Sequence, residues 1–179
     1  MTCIVAVTDG QQVTMGGDSA GVSGWDIEYR SDPKVFHLGD LLIGFTSSFR
    51  MGQILRYNIS IPNLKKGADL YEWMIKEFIP VIRVAFLEHG FAKIDGGTEK
   101  GGQFIVGIDG SIFVVESDYQ VSETLEEYSS VGCGSGYAMG SLYSSEGKDP
   151  LERVNLALEA ATYHSAGVAE PFTILRTNE

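Results

Sequence analysis

The sequence predicts an α+β fold, a four-layer αββα sandwich in which two antiparallel sheets stack between two layers of helices. Three observations predict it. Strand-like and helix-like segments follow one another as strands, helix pair, strands, helix pair, strand. Asp-Gly dipeptides, which favour tight turns, join neighbouring strands at Asp9-Gly10 and Asp109-Gly110. Each sheet then has helices on one side only, so its other apolar face must be buried against the second sheet.

The first half of the chain supplies two hairpins and two helices. Its β-branched and apolar runs predict strands over 2–8, 11–17, 34–38 and 41–46. Residues 19–33 have small side chains and no period, so an exposed loop is expected there. A helix is predicted over 48–58, and a longer one begins at Asp69, with Glu72 placed as in a capping box. Pro80 is expected to kink or interrupt that helix.

The second half repeats the pattern. The glycine-rich stretch 95–102 is expected to form a mobile turn. The predicted strands are 103–108, 112–116, 119–121, 128–131 and 172–176. One helix is expected after Gly136 through Ser145, and another opens at Asp149-Pro150, with proline at its first position.

Length and composition limit the class of protein. A chain of 179 residues is expected to form one domain over 1–179. The net charge of −11 argues against nucleic-acid binding. No apolar run is long enough for a membrane span and no signal peptide is apparent, so a soluble cytoplasmic protein is expected. Cys3 and Cys133 make no disulfide framework, and no Cys/His cluster has metal-ligand spacing, so neither a metal nor a cofactor is predicted.

The start of the chain carries the most specific chemical pattern. Thr2 follows Met1 and leads directly into the first predicted strand. If Met1 is removed, Thr2 has an α-amine of ordinary pKa about 7.7–8.0 beside its own hydroxyl. Such an amine can act as the base for that hydroxyl. The alternative interpretation is an ordinary strand start, and Cys3 is interpreted as a small buried apolar residue.

The order of Thr2, Asp18, Lys34 and Gly44 resembles that of the proteasome β-subunit family, which includes the bacterial HslV-type peptidases. These are N-terminal-nucleophile (Ntn) hydrolases, and the resemblance extends over nearly the whole chain. It implies a proteasome-like αββα fold and a threonine-type endopeptidase. It also implies a homo-oligomeric ring of six or seven copies, which can stack, a polypeptide substrate and an ATPase that unfolds it.

The resemblance also implies roles for individual residues. Thr2 would be the nucleophile and base, Lys34 the cation that lowers the pKa of the amine, and Asp18 the partner of Lys34. The N–H of Gly44 would stabilise the oxyanion, and Cys133 stands where the family has the serine of a Gly-Ser-Gly turn. An ion pair with a purely structural role is the alternative for Lys34 and Asp18.

The same resemblance implies a substrate held as an added strand. Val22, Gly44 and Thr46 would bind its backbone. Gly21, Asp32 and Leu42 would line the pocket for the residue before the cut, and Asp32 favours a basic residue there. Two departures from the family pattern, Ser165 and Val168, leave fewer polar groups around the amine. A catalytically silent ring subunit and an Ntn amidase for small amides therefore remain open.

Overall fold

The computed structural model describes residues 1–178. The strands of the first half are β1 (Cys3–Thr8), β2 (Val13–Gly17), β3 (Ala20–Ser23), β4 (Asp26–Tyr29), β5 (Val35–Leu38) and β6 (Leu41–Phe45). The strands of the second half are β7 (Lys93–Asp95), β8 (Thr98–Lys100), β9 (Phe104–Ile108), β10 (Ser111–Val115), β11 (Val121–Glu123), β12 (Tyr128–Gly132) and β13 (Thr173–Arg176). The helices are α1 (Phe49–Tyr57), α2 (Leu70–Trp73), α3 (Ile79–Glu88), α4 (Ser135–Ser144) and α5 (Pro150–His164), with a π-helical turn at Met74–Phe78.

Two antiparallel sheets form the centre of the molecule. The first has four strands in the order β12-β1-β2-β13, and the second has five in the order β11-β10-β9-β6-β5. In the first sheet β1 lies between two partners, so Ile4 is opposite Val131 on one side and Gly17 on the other. The start of β1, immediately after Thr2, therefore lies in the interior of the sheet rather than at its edge.

Side-chain alternation along β1 divides the core into layers. Cys3, Val5 and Val7 pack against α4 and α5, whereas Ile4 and Ala6 face the second sheet. A further apolar cluster lies between the second sheet and the helices α1 to α3, and it includes Phe104 and Phe113. The layers are thus helices, sheet, sheet, helices, which confirms the predicted αββα sandwich.

Two predicted loops contain short hairpins. Within 19–33, β3 pairs with β4, and Gly24 turns between them with a φ of +59°. Within 95–102, β8 pairs with β7. Every residue of β4 and β7 is exposed, and the polar–apolar alternation of their sequences, DIEY and KID, extends over only four and three residues, a weak signal for a strand.

Pro80 does not end its helix. The π-helical turn Met74–Phe78 joins α2 to α3 directly before it. Proline has no N–H to donate, and the wider hydrogen-bond spacing of a π turn accommodates the change of register at that point. None of the helices in residues 1–178 is both long and apolar enough to cross a membrane.

Candidate active site

Thr2 lies at the entrance to β1 in a narrow cleft. It is 5% exposed and lines a cavity of about 80 Å³ together with Val22, Lys34 and the segment 45–49. The turn after β12 holds its backbone, because the N–H of Gly134 donates to the carbonyl oxygen of Thr2 at 3.3 Å. Gly132, with a φ of +100°, lies so close that a Cβ there would be 2.2 Å from that same oxygen. Only glycine fits beside Thr2 at this position.

Lys34 and Asp18 form a buried ion pair directly behind Thr2. The Nζ of Lys34 lies 2.9 Å from Oδ1 of Asp18, and the two side chains are 1% and 0% exposed. Asp18 also accepts hydrogen bonds from the N–H groups of Cys3 and Ala20. Burial lowers the pKa of the Lys34 ammonium, and the neighbouring charge of Asp18 opposes that shift. The carboxylate is thus held by backbone amides and fixes the lysine.

The ammonium of Lys34 and the hydroxyl of Thr2 reach the same atom. The Oγ1 of Thr2 donates to the carbonyl oxygen of Met1, and Nζ of Lys34 donates to that oxygen at 3.5 Å. Lys34 also donates to the carbonyl oxygen of Ala20 at 2.7 Å, which fixes the remaining direction of its ammonium. The cation and the hydroxyl therefore converge on the first peptide group of the chain.

Cys133 contacts the nitrogen of Thr2. Its Sγ lies 3.3 Å from the Thr2 nitrogen, which donates to it, and 3.4 Å from the Thr2 carbonyl oxygen. Ser165 is 3.6 Å from the same sulfur. Val168, by contrast, is buried in the apolar cluster beneath α5. The hydrogen bond of the Thr2 nitrogen is thus made to a thiol, which is a weak hydrogen-bond partner.

The two cysteines differ sharply in accessibility, and this gives a first prediction. Cys133 is exposed, whereas burial raises the pKa of Cys3 to about 12. We expect iodoacetamide at pH 8 to alkylate Cys133 in the native protein and to leave Cys3 unmodified, because the thiolate is the reactive form. Peptide mapping by mass spectrometry measures this. A Cys133→Ser control should take up label only after denaturation; equal labelling of both cysteines in native wild type would contradict the geometry.

Two residues predicted for the site lie elsewhere. Gly44 is in the middle of β6, paired with Val35 and Ile105, and a Cβ there would lie 2.5 Å from Ile4. It therefore faces the space between the sheets and is not among the residues that line the Thr2 cleft, so the oxyanion role of its amide stays a prediction. Leu42 is likewise fully buried between the sheets, not in the pocket expected for it.

The turn after β6 contains a group that the sequence reasoning missed. Ser47 lines the cleft and has a φ of +62°, and its N–H donates to no acceptor among residues 1–178. The turn is held by Gln103, whose N–H donates to Oγ of Ser47 at 3.1 Å. The backbone amide of Ser47 is thus available beside Thr2, on a conformation that a side chain rarely adopts.

The residues predicted to bind substrate are divided between the cleft and its neighbour. Val22 and Thr46 line the cleft, although the N–H of Thr46 donates to the carbonyl oxygen of Gln103 at 3.0 Å. Gly21 lines an adjoining cavity of about 350 Å³ that also includes Val22 and Arg30. Asp32 is 35% exposed and pairs with Arg30 at 2.8 Å. The cleft thus combines a hydroxyl, a buried cation and an unoccupied amide, which are the groups required for acyl transfer.

Comparison with solved structures shows similarity in fold. BPH from Thiobacillus denitrificans aligns with a TM-score of 0.82 at 20% identity, covering 97% of this chain and 96% of that one. The same protein in complex with epoxomicin aligns with a TM-score of 0.79 at 19% identity, over 97% of each chain. Eukaryotic HslV from Trypanosoma brucei gives 0.68 at 18% identity, over 97% and 98%.

Sequence comparison alone finds no relatives: no protein-family model matches the chain, and no curated protein matches it significantly. The structural similarity nevertheless extends over almost the full length of each chain compared. The chain has an HslV-like fold, as the resemblance of its Thr2, Asp18 and Lys34 pattern implied.

Proposed function

We propose that, once Met1 is removed, this protein is a threonine-type endopeptidase with Thr2 as its N-terminal nucleophile. One observation carries the proposal: the hydroxyl of Thr2 and the ammonium of Lys34 reach the same carbonyl oxygen, and the buried carboxylate of Asp18 holds that lysine in place. A nucleophile beside a fixed, desolvated cation is the arrangement needed for covalent catalysis.

The proposed mechanism begins with proton transfer within one residue. The free amine of Thr2 accepts the hydroxyl proton as Oγ1 attacks the carbonyl carbon of the substrate. The ammonium of Lys34 disfavours a second positive charge nearby, which lowers the pKa of the amine and keeps it neutral near pH 7. The protonated Thr2 amine then gives this proton to the leaving nitrogen, so that the amine product departs and an ester remains on Thr2. Water hydrolyses that ester with the neutral amine again acting as base, which releases the acid product and restores the Thr2 hydroxyl.

The oxyanion would be stabilised by the N–H of Ser47. Ser47 lines the cleft and its N–H lacks an acceptor within residues 1–178, so no hydrogen bond has to break before it can receive a negatively charged oxygen. A donor that is already oriented stabilises the transition state without reorganisation. In this proposal Ser47 takes the role first expected for Gly44.

The role of the Ser47 turn can be tested with two substitutions that both remove its hydroxyl. Ser47→Gly accepts a φ of +62° but loses the Oγ that accepts from the N–H of Gln103, as Ser47→Val also does, so we expect only a modest loss of turnover. Ser47→Val disfavours that conformation because valine is β-branched. We expect its kcat/KM to fall by about 10²–10³-fold, the usual cost of losing one oxyanion donor. If the two variants lose activity equally, the amide of Ser47 is not the donor.

The chemistry depends on the state of the chain start. While Met1 remains attached, the nitrogen of Thr2 belongs to a peptide bond and cannot act as a base. The protein is then silent, and the alternative of a non-catalytic ring subunit describes that state. The proposed activity therefore belongs to the form that begins at Thr2.

We further propose that copies of the chain assemble into a ring of six or seven subunits that encloses the site and receives a polypeptide, with an ATPase unfolding it first. The HslV-like fold supports this assembly. A closed ring admits only extended chains, whereas a monomer with an open cleft would fit an amidase for small amides. Multi-angle light scattering separates the two, because a mass of one subunit would exclude the ring.

The experiment for the proposed function joins N-terminal mass to turnover. Protein purified from cells is analysed by intact mass spectrometry and assayed with fluorogenic peptides over a range of sequences. We expect the mass of a chain that begins at Thr2, together with hydrolysis of at least one peptide. Protein that lacks Met1 and hydrolyses none of the peptides would contradict the proposal.

A further inference from the structure

The cavity next to the Thr2 cleft can take a side chain of a bound substrate. The two cavities share Val22 and Phe49, so a group held at Thr2 extends directly from one into the other. The adjoining cavity has a volume of about 350 Å³ and is lined by the β3–β4 hairpin and Phe49. Its most strongly held charged group is the guanidinium of Arg30.

Contacts on three sides fix Arg30. Its aliphatic stem lies against Gly21, where a Cβ would come within 3.0 Å of Cδ of Arg30. Its guanidinium lies 4.0 Å from the centre of the Phe49 ring. Two parallel hydrogen bonds of 2.8 Å join its Nε and Nη2 to the two carboxylate oxygens of Asp32. This is the bidentate geometry in which an arginine–carboxylate pair is strongest.

This arrangement changes what Asp32 can do. Both carboxylate oxygens of Asp32 accept a hydrogen bond from Arg30, and this pairing holds the pKa of Asp32 below its usual value, although the side chain is still 35% exposed. Arg30 lines the cavity, whereas Asp32 does not. A basic substrate side chain would therefore compete with Arg30 for a carboxylate that is already paired.

We propose that Arg30 is a specificity-determining residue that neutralises the charge of Asp32, so that the cavity accepts an uncharged side chain of a peptide substrate. This inference rests on the proposed function and names the substrate class of the same site. Acidic side chains are disfavoured as well, because Glu28 lies 3.8 Å from the guanidinium and Asp26 also lines the cavity. The preference for basic residues expected from Asp32 alone is thereby removed.

The test compares Arg30→Leu with wild type on two peptides that differ only in leucine or arginine before the cut. Wild type should favour the leucine peptide. In Arg30→Leu the carboxylate of Asp32 is unpaired, which should shift the ratio of kcat/KM towards the arginine peptide by at least about tenfold. The double variant Arg30→Leu/Asp32→Asn should lose that shift. Arg83→Leu is the matched control, because Arg83 makes a similar bidentate pair with Glu99 on a different surface.

A second measurement does not depend on catalysis. Calorimetric titration with benzamidine, a flat cation, should show binding to Arg30→Leu and none to wild type or to the double variant. An unchanged peptide ratio in Arg30→Leu, or benzamidine binding to wild type, would overturn the role of Arg30. If no variant hydrolyses either peptide but benzamidine binds as expected, the proposed peptidase activity would be contradicted. The neutralisation of Asp32 by Arg30 would still be supported.

Discussion

Replacing Thr2 with alanine is expected to reduce kcat/KM for peptide hydrolysis by about 10⁴–10⁶-fold, the range typical for loss of a catalytic nucleophile. The variant keeps the α-amine and the Lys34–Asp18 pair but lacks the attacking oxygen. Within residues 1–178, the Thr2 hydroxyl bonds only to the carbonyl oxygen of Met1. Its removal therefore leaves no buried partner unsatisfied, and the melting temperature should stay close to wild type.

Thr2→Ser is the matched control for this change, because it keeps a hydroxyl at the same atom position and should retain measurable turnover. Progress curves with a fluorogenic peptide measure both variants, and circular dichroism checks their folding. Turnover by a folded Thr2→Ala protein at more than about one hundredth of the wild-type rate would exclude Thr2 as nucleophile.

Replacing Lys34 with methionine is expected to affect both stability and turnover. It leaves the carboxylate of Asp18 buried without a counter-charge, and breaking such a pair typically costs about 3–5 kcal/mol. That is a large part of the total stability of a domain, about 5–15 kcal/mol. Turnover at pH 7 should fall by about tenfold, because a Thr2 amine of ordinary pKa, about 7.7–8.0, is mostly protonated there without a nearby cation. Urea unfolding and peptide assays measure the two effects.

The double variant Lys34→Met/Asp18→Asn separates the effect on stability from the effect on turnover. Asparagine carries no charge and can still accept from the N–H of Cys3 through its amide oxygen. Much of the lost stability should therefore return, while turnover stays low because the cation is still missing. Recovery of turnover together with stability would mean that the ion pair serves only to hold the fold together, which is the alternative left open by the sequence.

The layered fold could be predicted because its signals are local and repeated. The hairpin turns at Asp9-Gly10 and Asp109-Gly110 and the apolar runs beside them specify the central strands. The hairpins β3–β4 and β7–β8 were not predicted in this way, since their strands are only three or four residues long and an alternating pattern over so few residues is a weak signal. Their pairing is fixed by backbone turns such as Gly24, not by burial.

The site was predictable where side-chain chemistry is unusual. Thr2, Asp18, Lys34 and Cys133 lie together as expected. The proposed oxyanion donor could not be predicted, because any backbone has N–H groups and only the conformation decides which one is available. The sequence predicted the oxyanion role for Gly44 because it is the glycine of this segment. In the structure its lack of a Cβ allows close packing against Ile4 and Met15. The available amide belongs to Ser47, three residues further on.

Arg30 shows a second limit of sequence reasoning. The sequence displays Arg30 and Asp32 two positions apart but does not reveal that they form a bidentate pair. Asp32 alone predicts a preference for basic substrates, whereas the pair predicts uncharged ones. The charge of the side chain that the pocket is predicted to accept thus depends on a contact that is visible only in the three-dimensional structure.

The central claim is that Thr2 carries both the reactive hydroxyl and a free amine. An epoxyketone tests this directly, because its two electrophilic carbons can react with both groups of one residue. The protein is incubated with epoxomicin, digested and analysed by tandem mass spectrometry. The account predicts an adduct on an N-terminal peptide that begins at Thr2, and none in Thr2→Ala. An N-terminal peptide that begins at Thr2 and stays unmodified, or an adduct on any other residue, would contradict it.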